Sequence, residues 1–246
     1  APLLRWPTSE PTPSFAQLGA IYPELLAAAA RKRSGAWFTP RSLAAPTAER
    51  VLRSLLAEQP SPRVCDPSVG SGAFLLAALD AIHAMAHADR AEIAAHCLHG
   101  FDLDPTATSL ACWSLWESCG AHPPSLAILE SNIRCDDGLR EGAAGSCDAV
   151  LGNPPWETWQ DERREHHAAE AAPQRSALAP QLRDGFVHQG RGKLYTYRLF
   201  VERAFQLLRP SGRLGMIVPA SLWFDRDALP LRRLLLDQCS WEWLFA

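Results

Sequence analysis

Three short stretches of the chain carry residues whose types and spacing suit chemistry. In LGNPPWETW, residues 151–159, a polar amide (Asn153) is followed by Pro154, Pro155 and the indole of Trp156. Neither proline has an N–H to donate and both fix φ, so the run cannot extend a strand ladder or open a helix without loss. A rigid polar turn therefore follows directly on an apolar stretch. In DPSVGSGAFLL, Asp66 to Leu76, a strand gives way to a helix. Gly70 and Gly72 allow a ligand to approach the backbone closely, the helix N-terminus offers free N–H groups, and Asp66 adds a carboxylate at the strand tip. Phe74 and Leu75 stand where the third glycine of a G-x-G-x-x-G dinucleotide fingerprint belongs. An acid here suits a cationic ligand better than a pyrophosphate. In GFDLDP, Gly100 to Pro105, acidic residues end a second strand, where a carboxylate can accept both hydroxyls of a ribose. Asp104, directly before Pro105, reads as a helix N-cap, which leaves Asp102 as the ribose ligand. Asp136 and Asp137, after a third strand, read either as a ligand for an adenine amino group or as a solvated turn.

The elements that must position these residues follow from the hydrophobic pattern. An irregular arm, APLLRWPTSEPTPS, precedes a helix over FAQLGAIYPELLAAAARKR that Pro23 interrupts. GAWFTPRSLA reads as a turn and APTAERVLRSLLAEQ as a helix with Pro46 in its first turn. Strand and helix signals then alternate. RVCDP, HCLHGFDLD, SLAILESNIRC, CDAVLGNPP and RLGMIVPAS read as five strands and the closing WEWLFA as a sixth. Helices are expected over GAFLLAALDAIHAMAHA, PTATSLACWSLWESC, LYTYRLFVERAFQLLR (stopped by Pro210-Ser211-Gly212) and LPLRRLLLDQ. Tyr195 and Tyr197 read as anchors of the helix they begin, and Trp159 as a packing residue. Such alternation implies an α/β fold, a mostly parallel, doubly wound sheet with helices on both faces and ligands at the carboxyl ends of its strands. Residues 158–192 fit neither period and read as an insertion beside the candidate site.

Bulk properties narrow the class. A chain of 246 residues, 47% hydrophobic, can bury one main core. It begins with Ala1 rather than Met, so its ends are treated as arbitrary. No apolar run reaches the roughly 18 residues of a membrane span, and no basic-then-apolar secretory layout opens the chain. A soluble protein of the cytoplasm, without membrane contact, is expected. The seven cysteines are scattered with no Cys-x-x-Cys spacing, which argues against a disulfide framework or structural zinc. Adjacent His166 and His167 point apart on any regular element, so no metal site is expected. The net charge of −3 gives no global attraction to nucleic acid. Between Asp161 and Arg213, however, ten basic residues face six acidic ones, a local excess of four positive charges just downstream of Asn153-Pro-Pro-Trp.

The order of motifs resembles the class I S-adenosylmethionine-dependent methyltransferases, specifically the N6-adenine DNA methyltransferases of the gamma arrangement. The resemblance covers about Gly35 to Ala220. GAWFTP is similar to that family's motif X, DPSVGSGAFLL to motif I, GFDLDP to motif II, CDDGL to motif III and GNPPW to the catalytic motif IV. By that resemblance Phe38 and Thr39 contact S-adenosylmethionine, Asp66, Gly70 and Gly72 surround its methionine part, Asp102 holds the ribose and Asp137 the adenine amino group. Asn153, Pro154, Pro155 and Trp156 form the base pocket. The implied organisation is an N-terminal arm and helix over 1–34 and a catalytic domain over 35–246.

The resemblance implies direct methyl transfer to the N6 amino group of adenine in DNA, in a restriction-modification or phage-defence system of a bacterium or archaeon, without a metal or covalent enzyme intermediate. The adenine amino nitrogen is a poor nucleophile because its lone pair is delocalised into the ring. If the Asn153 side-chain oxygen and the Pro154 carbonyl each accept one amino hydrogen, the nitrogen is drawn toward tetrahedral geometry. Trp156 would stack on the base, which must leave the duplex to be reached. Asn-Pro-Pro-aromatic motifs also serve enzymes that methylate RNA adenines or a glutamine amide of a protein, and GAWFTP favours DNA among these acceptors. The sequence departs from the family at its end, where a seventh strand, an aromatic motif VIII and a target-recognition domain are not identifiable. Truncation before the last strand is therefore expected, with recognition supplied by further domains of a parent protein or by a separate subunit. On that view the chain is a cofactor-binding part with weak or non-specific DNA binding by itself.

Overall fold

The computed structural model describes residues 14–25, 39–158, 185–190, 193–242 and 244. Phe38, Trp159, His166, His167 and most of the 158–192 insertion lie outside the described residues. Helix α1 (Phe15–Leu25) is followed by α2 (Arg41–Glu58), then β1 (Val64–Asp66), α3 (Ala73–Ala86), α4 (Arg90–His96), β2 (Leu98–Asp102), α5 (Pro105–Ser118), α6 (Leu126–Asn132) and β3 (Ile133–Cys135). The second half holds β4 (Cys147–Gly152), α7 (Thr196–Leu207), β5 (Leu208–Met216), the short α8 (Ser221–Phe224) and α9 (Leu229–Gln238). The strands form one sheet in the order β3-β2-β1-β4-β5, and every neighbouring pair is parallel. This is the doubly wound, Rossmann-like arrangement expected from the alternation.

Strand β4 shows how the layers are held. All six of its residues are buried, which an inner strand of a parallel sheet covered on both faces requires. Alternation sends Leu151 into the larger core with Leu52 of α2, Leu75, Leu79 and Ile82 of α3 and Leu115 of α5. Val150 points the other way, onto Ala204 and Leu207 of α7. Helix starts are set locally. Asp104 caps α5 by accepting from the Thr106 and Ala107 amides at 2.8 and 3.3 Å, with Pro105 at the first helical position as expected. Asp89 caps α4 in the same way.

Five expectations about elements are corrected. Helix α1 continues through Pro23 to Leu25 rather than being interrupted there. Helix α2 begins at Arg41, so Pro46 lies inside it rather than in its first turn. So near the N-terminus, proline forfeits only a single intrahelical bond. SLAILESN is helix, not strand, and β3 keeps only Ile133–Cys135. The apolar alternation there was misleading, since Leu126 and Ile128 are exposed and the helix buries Leu129 instead. β5 runs from Leu208 to Met216, so it contains Pro210-Ser211-Gly212 and stops before Ile217. Those three residues are absorbed as an irregularity between the Cys147–Leu208 and Ala149–Arg213 pairings. Among the described residues Trp241, Glu242 and Leu244 are not in a strand, and the sheet has five strands rather than six. No helix among them is long and apolar enough to cross a membrane.

Candidate active site

Because β1 pairs with both β2 and β4, the carboxyl ends of these three strands are neighbours. Asp66 is the last residue of β1, Asp102 the last of β2, and Asn153 directly follows β4. Three motifs far apart in sequence thus meet at one edge of the sheet.

Asp102 ties the glycine turn to the end of β2. Its Oδ2 accepts from the Gly70 amide at 2.9 Å and its Oδ1 from the Asp104 amide at 3.0 Å. Gly70 (φ +52°) and Gly72 (φ +91°) adopt left-handed conformations in that turn, and a Cβ built at Gly70 meets nothing within 4 Å. Open space therefore lies against the bare backbone at Gly70, whereas a Cβ at Gly72 would lie 3.1 Å from Ala111 Cβ, so that glycine lets the turn pack on α5. Asp66 is buried, with Oδ1 accepting from the Ser68 amide at 3.0 Å. Burial, with a smaller contribution from the Asp102 charge, pushes its carboxyl up to about 7, and burial also raises Asp102. Two acids sharing a desolvated corner, each short of compensating charge, form a setting for a cation and for hydroxyl donors.

The acceptor loop closes onto this corner through Gly152. A Cβ there would sit 2.9 Å from Asp66 Oδ1, so the end of β4 can approach the acid only without a side chain. Gly152→Ala is expected to lower stability by about 1–3 kcal/mol through that overpacking, read as a lower urea midpoint at unchanged slope. The third strand joins by a similar contact, since a Cβ on Gly138 would collide with the Pro67 carbonyl oxygen. Of the two neighbouring acids, Asp136 pairs with the Arg134 Nε at 3.2 Å, and Asp137 Oδ1 accepts from the Leu139 amide at 3.0 Å and shapes the turn.

Asn153 is held at both ends of its amide. Its Nδ2 donates to Thr39 Oγ1 at 3.1 Å, and its Oδ1 accepts from the Trp156 indole N–H at 3.2 Å. Thr39 and Pro154 are buried, whereas Trp156 is 47% exposed. The far end of the loop is fixed to α7: Thr158 bridges Tyr195, and the Thr196 amide donates to the Glu157 carbonyl at 3.0 Å. Beneath it Arg198, fully buried, lies 4.6 Å from the Tyr195 ring centroid and donates to Asp225 Oδ2 at 2.6 Å. Tyr197 is buried beside it, so both tyrosines anchor α7 as the sequence suggested.

Several supports were not legible in advance. Helix α1 packs by Gly19 against Ser71 of the glycine turn, and Tyr22 donates its hydroxyl to Asp104 Oδ2 at 2.8 Å. Neither residue carries a motif signal. Arg198 was counted in the local positive excess, yet it is structural. So are Arg203, which donates to the carbonyls of Glu141 and Gly142, Arg209, paired with Asp148, and Arg213, paired with Glu242. Charge counted along the chain thus overstates the charge offered to a polyanion.

The chain matches known proteins over this same region. A family profile described as N-6 DNA Methylase covers residues 15–244. The methylase subunit of the type I restriction enzyme EcoKI of Escherichia coli is 25% identical over 214 residues, 84% of this chain and 35% of that protein. Type II methyltransferase M.MamI of Microbacterium ammoniaphilum is 35% identical over 127 residues, 50% of this chain and 34% of that protein. This chain spans about a third of the length of these curated relatives. Among solved structures, the DrdV–DNA complex matches with a TM-score of 0.67 at 16% identity, over 91% of this chain and 25% of that one, a likeness of fold. With the profile spanning nearly the whole sequence, the chain belongs to the N-6 DNA methylase family.

Proposed function

We propose that this chain is the catalytic part of a DNA methyltransferase that moves a methyl group from S-adenosylmethionine to the N6 amino group of adenine, within a restriction-modification or phage-defence system. The observation that carries the reading is the Asn153 amide, held beside the Asp66–Gly70–Asp102 corner with its oxygen engaged by an N–H donor. The relatives are named as the methylase subunit of a type I restriction enzyme and as a type II methyltransferase. Recognition of a particular DNA sequence is assigned to other parts of the parent protein or to a partner subunit.

The residues at the corner fit S-adenosylmethionine. Asp66 would take its ammonium group, the bare backbone at Gly70 its methionine part, Asp102 the ribose hydroxyls and Asp137 the adenine amino group; Gly72 keeps the turn close to Ala111, and Phe38, outside the described residues, is assigned by the family resemblance. When bound, S-adenosylmethionine supplies an electrophilic methyl group on a sulfonium. Everything else falls to the chain. Asn153 Oδ1 and the Pro154 carbonyl accept the two amino hydrogens of a flipped-out adenine and turn its lone pair toward that methyl. Pro155 keeps the loop rigid without adding a competing donor. The Trp156 indole occupies Oδ1 before the base arrives, so it must swing away, and the freed ring then stacks on the base.

Acid–base behaviour gives a second handle. A cation stabilises the ionised form of Asp66, and that form becomes dominant only above its raised pKa of about 7. Affinity for S-adenosylmethionine is expected to rise by up to about tenfold per pH unit on approaching that value and to level off above it. Isothermal titration calorimetry across this range checks the sign, and Asp66→Asn should flatten the rise. The direct test of the acceptor class is to offer DNA, RNA and protein to the full-length protein with labelled S-adenosylmethionine. Label is expected in DNA alone, and label in RNA or protein would assign the site to a different acceptor.

A further inference from the structure

The amide of Asn153 poses a problem of polarity. Its two ends have nearly the same shape, but only the oxygen can accept a hydrogen from a substrate amino group; turned over, the amide would present two donors to another donor. Its two neighbours differ in what they can do. A threonine hydroxyl both donates and accepts, so Thr39 alone would tolerate either orientation. An indole N–H only donates, so the group it faces must be the oxygen. With Trp156 Nε1 3.2 Å from Oδ1, the nitrogen is directed at Thr39 Oγ1, 3.1 Å away, which then serves as acceptor. Thr39 is 6% exposed, so water is poorly placed to take over its role.

We infer that Thr39 and Trp156 together are positioning residues for Asn153. The indole sets the polarity of the amide before a base enters, and the Thr39 hydroxyl keeps Nδ2 satisfied while the substrate amino group replaces the indole at Oδ1. The exchange swaps one donor for another, so Asn153 never has to turn over during the cycle. A phenyl or phenol ring at position 156 would lack this N–H, which makes the device a property of the tryptophan in this chain. The inference rests on the proposed transfer to an amino group, and it gives Thr39 a role distinct from contact with S-adenosylmethionine.

The test uses the full-length protein and three readouts. The Trp156 indole 15N–1H resonance, assigned by its disappearance in Trp156→Phe, is expected to move when Thr39→Val removes the hydroxyl while keeping the side-chain shape. The dissociation constant for S-adenosylmethionine, measured by calorimetry, should stay within about twofold, while kcat falls about tenfold, one hydrogen bond's worth. Thr39→Ser should restore both the resonance and most of kcat, and Thr39→Ala serves as the second truncation if the valine variant does not fold. An indole resonance indifferent to Thr39, or a weakened dissociation constant with unchanged kcat, would overturn the inference. The resonance is informative whatever the methyl acceptor, so a wild-type protein that leaves DNA adenine unmethylated would refute the proposed function without deciding this point.

Discussion

Asn153→Ala is expected to reduce methyl transfer by about 10²–10³-fold while leaving affinity for S-adenosylmethionine within about twofold of wild type. The asymmetry follows from what the side chain touches. Its partners are Thr39 and Trp156, whereas the groups around the glycine turn are held by Asp102 and Ser68 independently of it. The substitution removes an acceptor aimed at the amino group, an interaction that strengthens as the nitrogen becomes tetrahedral, and so the loss should fall on kcat. Calorimetry for the cofactor and single-turnover transfer from labelled S-adenosylmethionine separate the two quantities. A variant that loses cofactor affinity in step with activity would place Asn153 in the wrong pocket.

For Asp102→Ala, by contrast, the loss of S-adenosylmethionine affinity should be about 100-fold or more, accompanied by a measurable loss of stability. Each Asp102 oxygen accepts from a backbone amide, Gly70 at 2.9 Å and Asp104 at 3.0 Å. Alanine leaves both donors without this partner, at a cost of roughly 1–3 kcal/mol each where water cannot reach them, and it frees the turn whose geometry exposes the backbone to the ligand. Removing the carboxylate also removes charge-assisted bonds to the ribose hydroxyls. Asp102→Asn separates the two contributions: one oxygen remains to hold a backbone amide, so stability should lie between wild type and alanine, while most of the affinity loss persists. Urea denaturation and calorimetry on the same three proteins give both comparisons.

The acids were legible in the sequence for a physical reason. A parallel sheet places every strand's carboxyl end on one edge, so recognising β1, β2 and β4 was enough to put Asp66, Asp102 and Asn153 on that edge, and the strand order then makes them neighbours. Asp104 was legible as a cap because its capping depends on residues two and three positions on. What depended on distant contacts was not. The Thr39–Asn153 bond spans 114 positions, and the closeness of Gly152 to Asp66 and of Gly138 to Pro67 follows from strand order rather than from any local pattern. Leu126 and Ile128 read as one strand face because alternation over a short run does not separate a half-exposed helix from a strand. The sequence shows a positive excess downstream of Trp156, yet Arg198 and Arg203 are buried and direct their donors at Asp225 and at backbone carbonyls. Charge counted along a chain does not report which side chains reach solvent.

The most direct measurement is the chemical position of the transferred methyl group. Full-length protein is incubated with DNA and labelled S-adenosylmethionine, and the DNA is digested to nucleosides and resolved by mass spectrometry. The account requires the label in N6-methyl-2′-deoxyadenosine, reduced by about 10²–10³-fold in Asn153→Ala. Label on cytosine, or on N6 of adenine at an undiminished rate in Asn153→Ala, would contradict it.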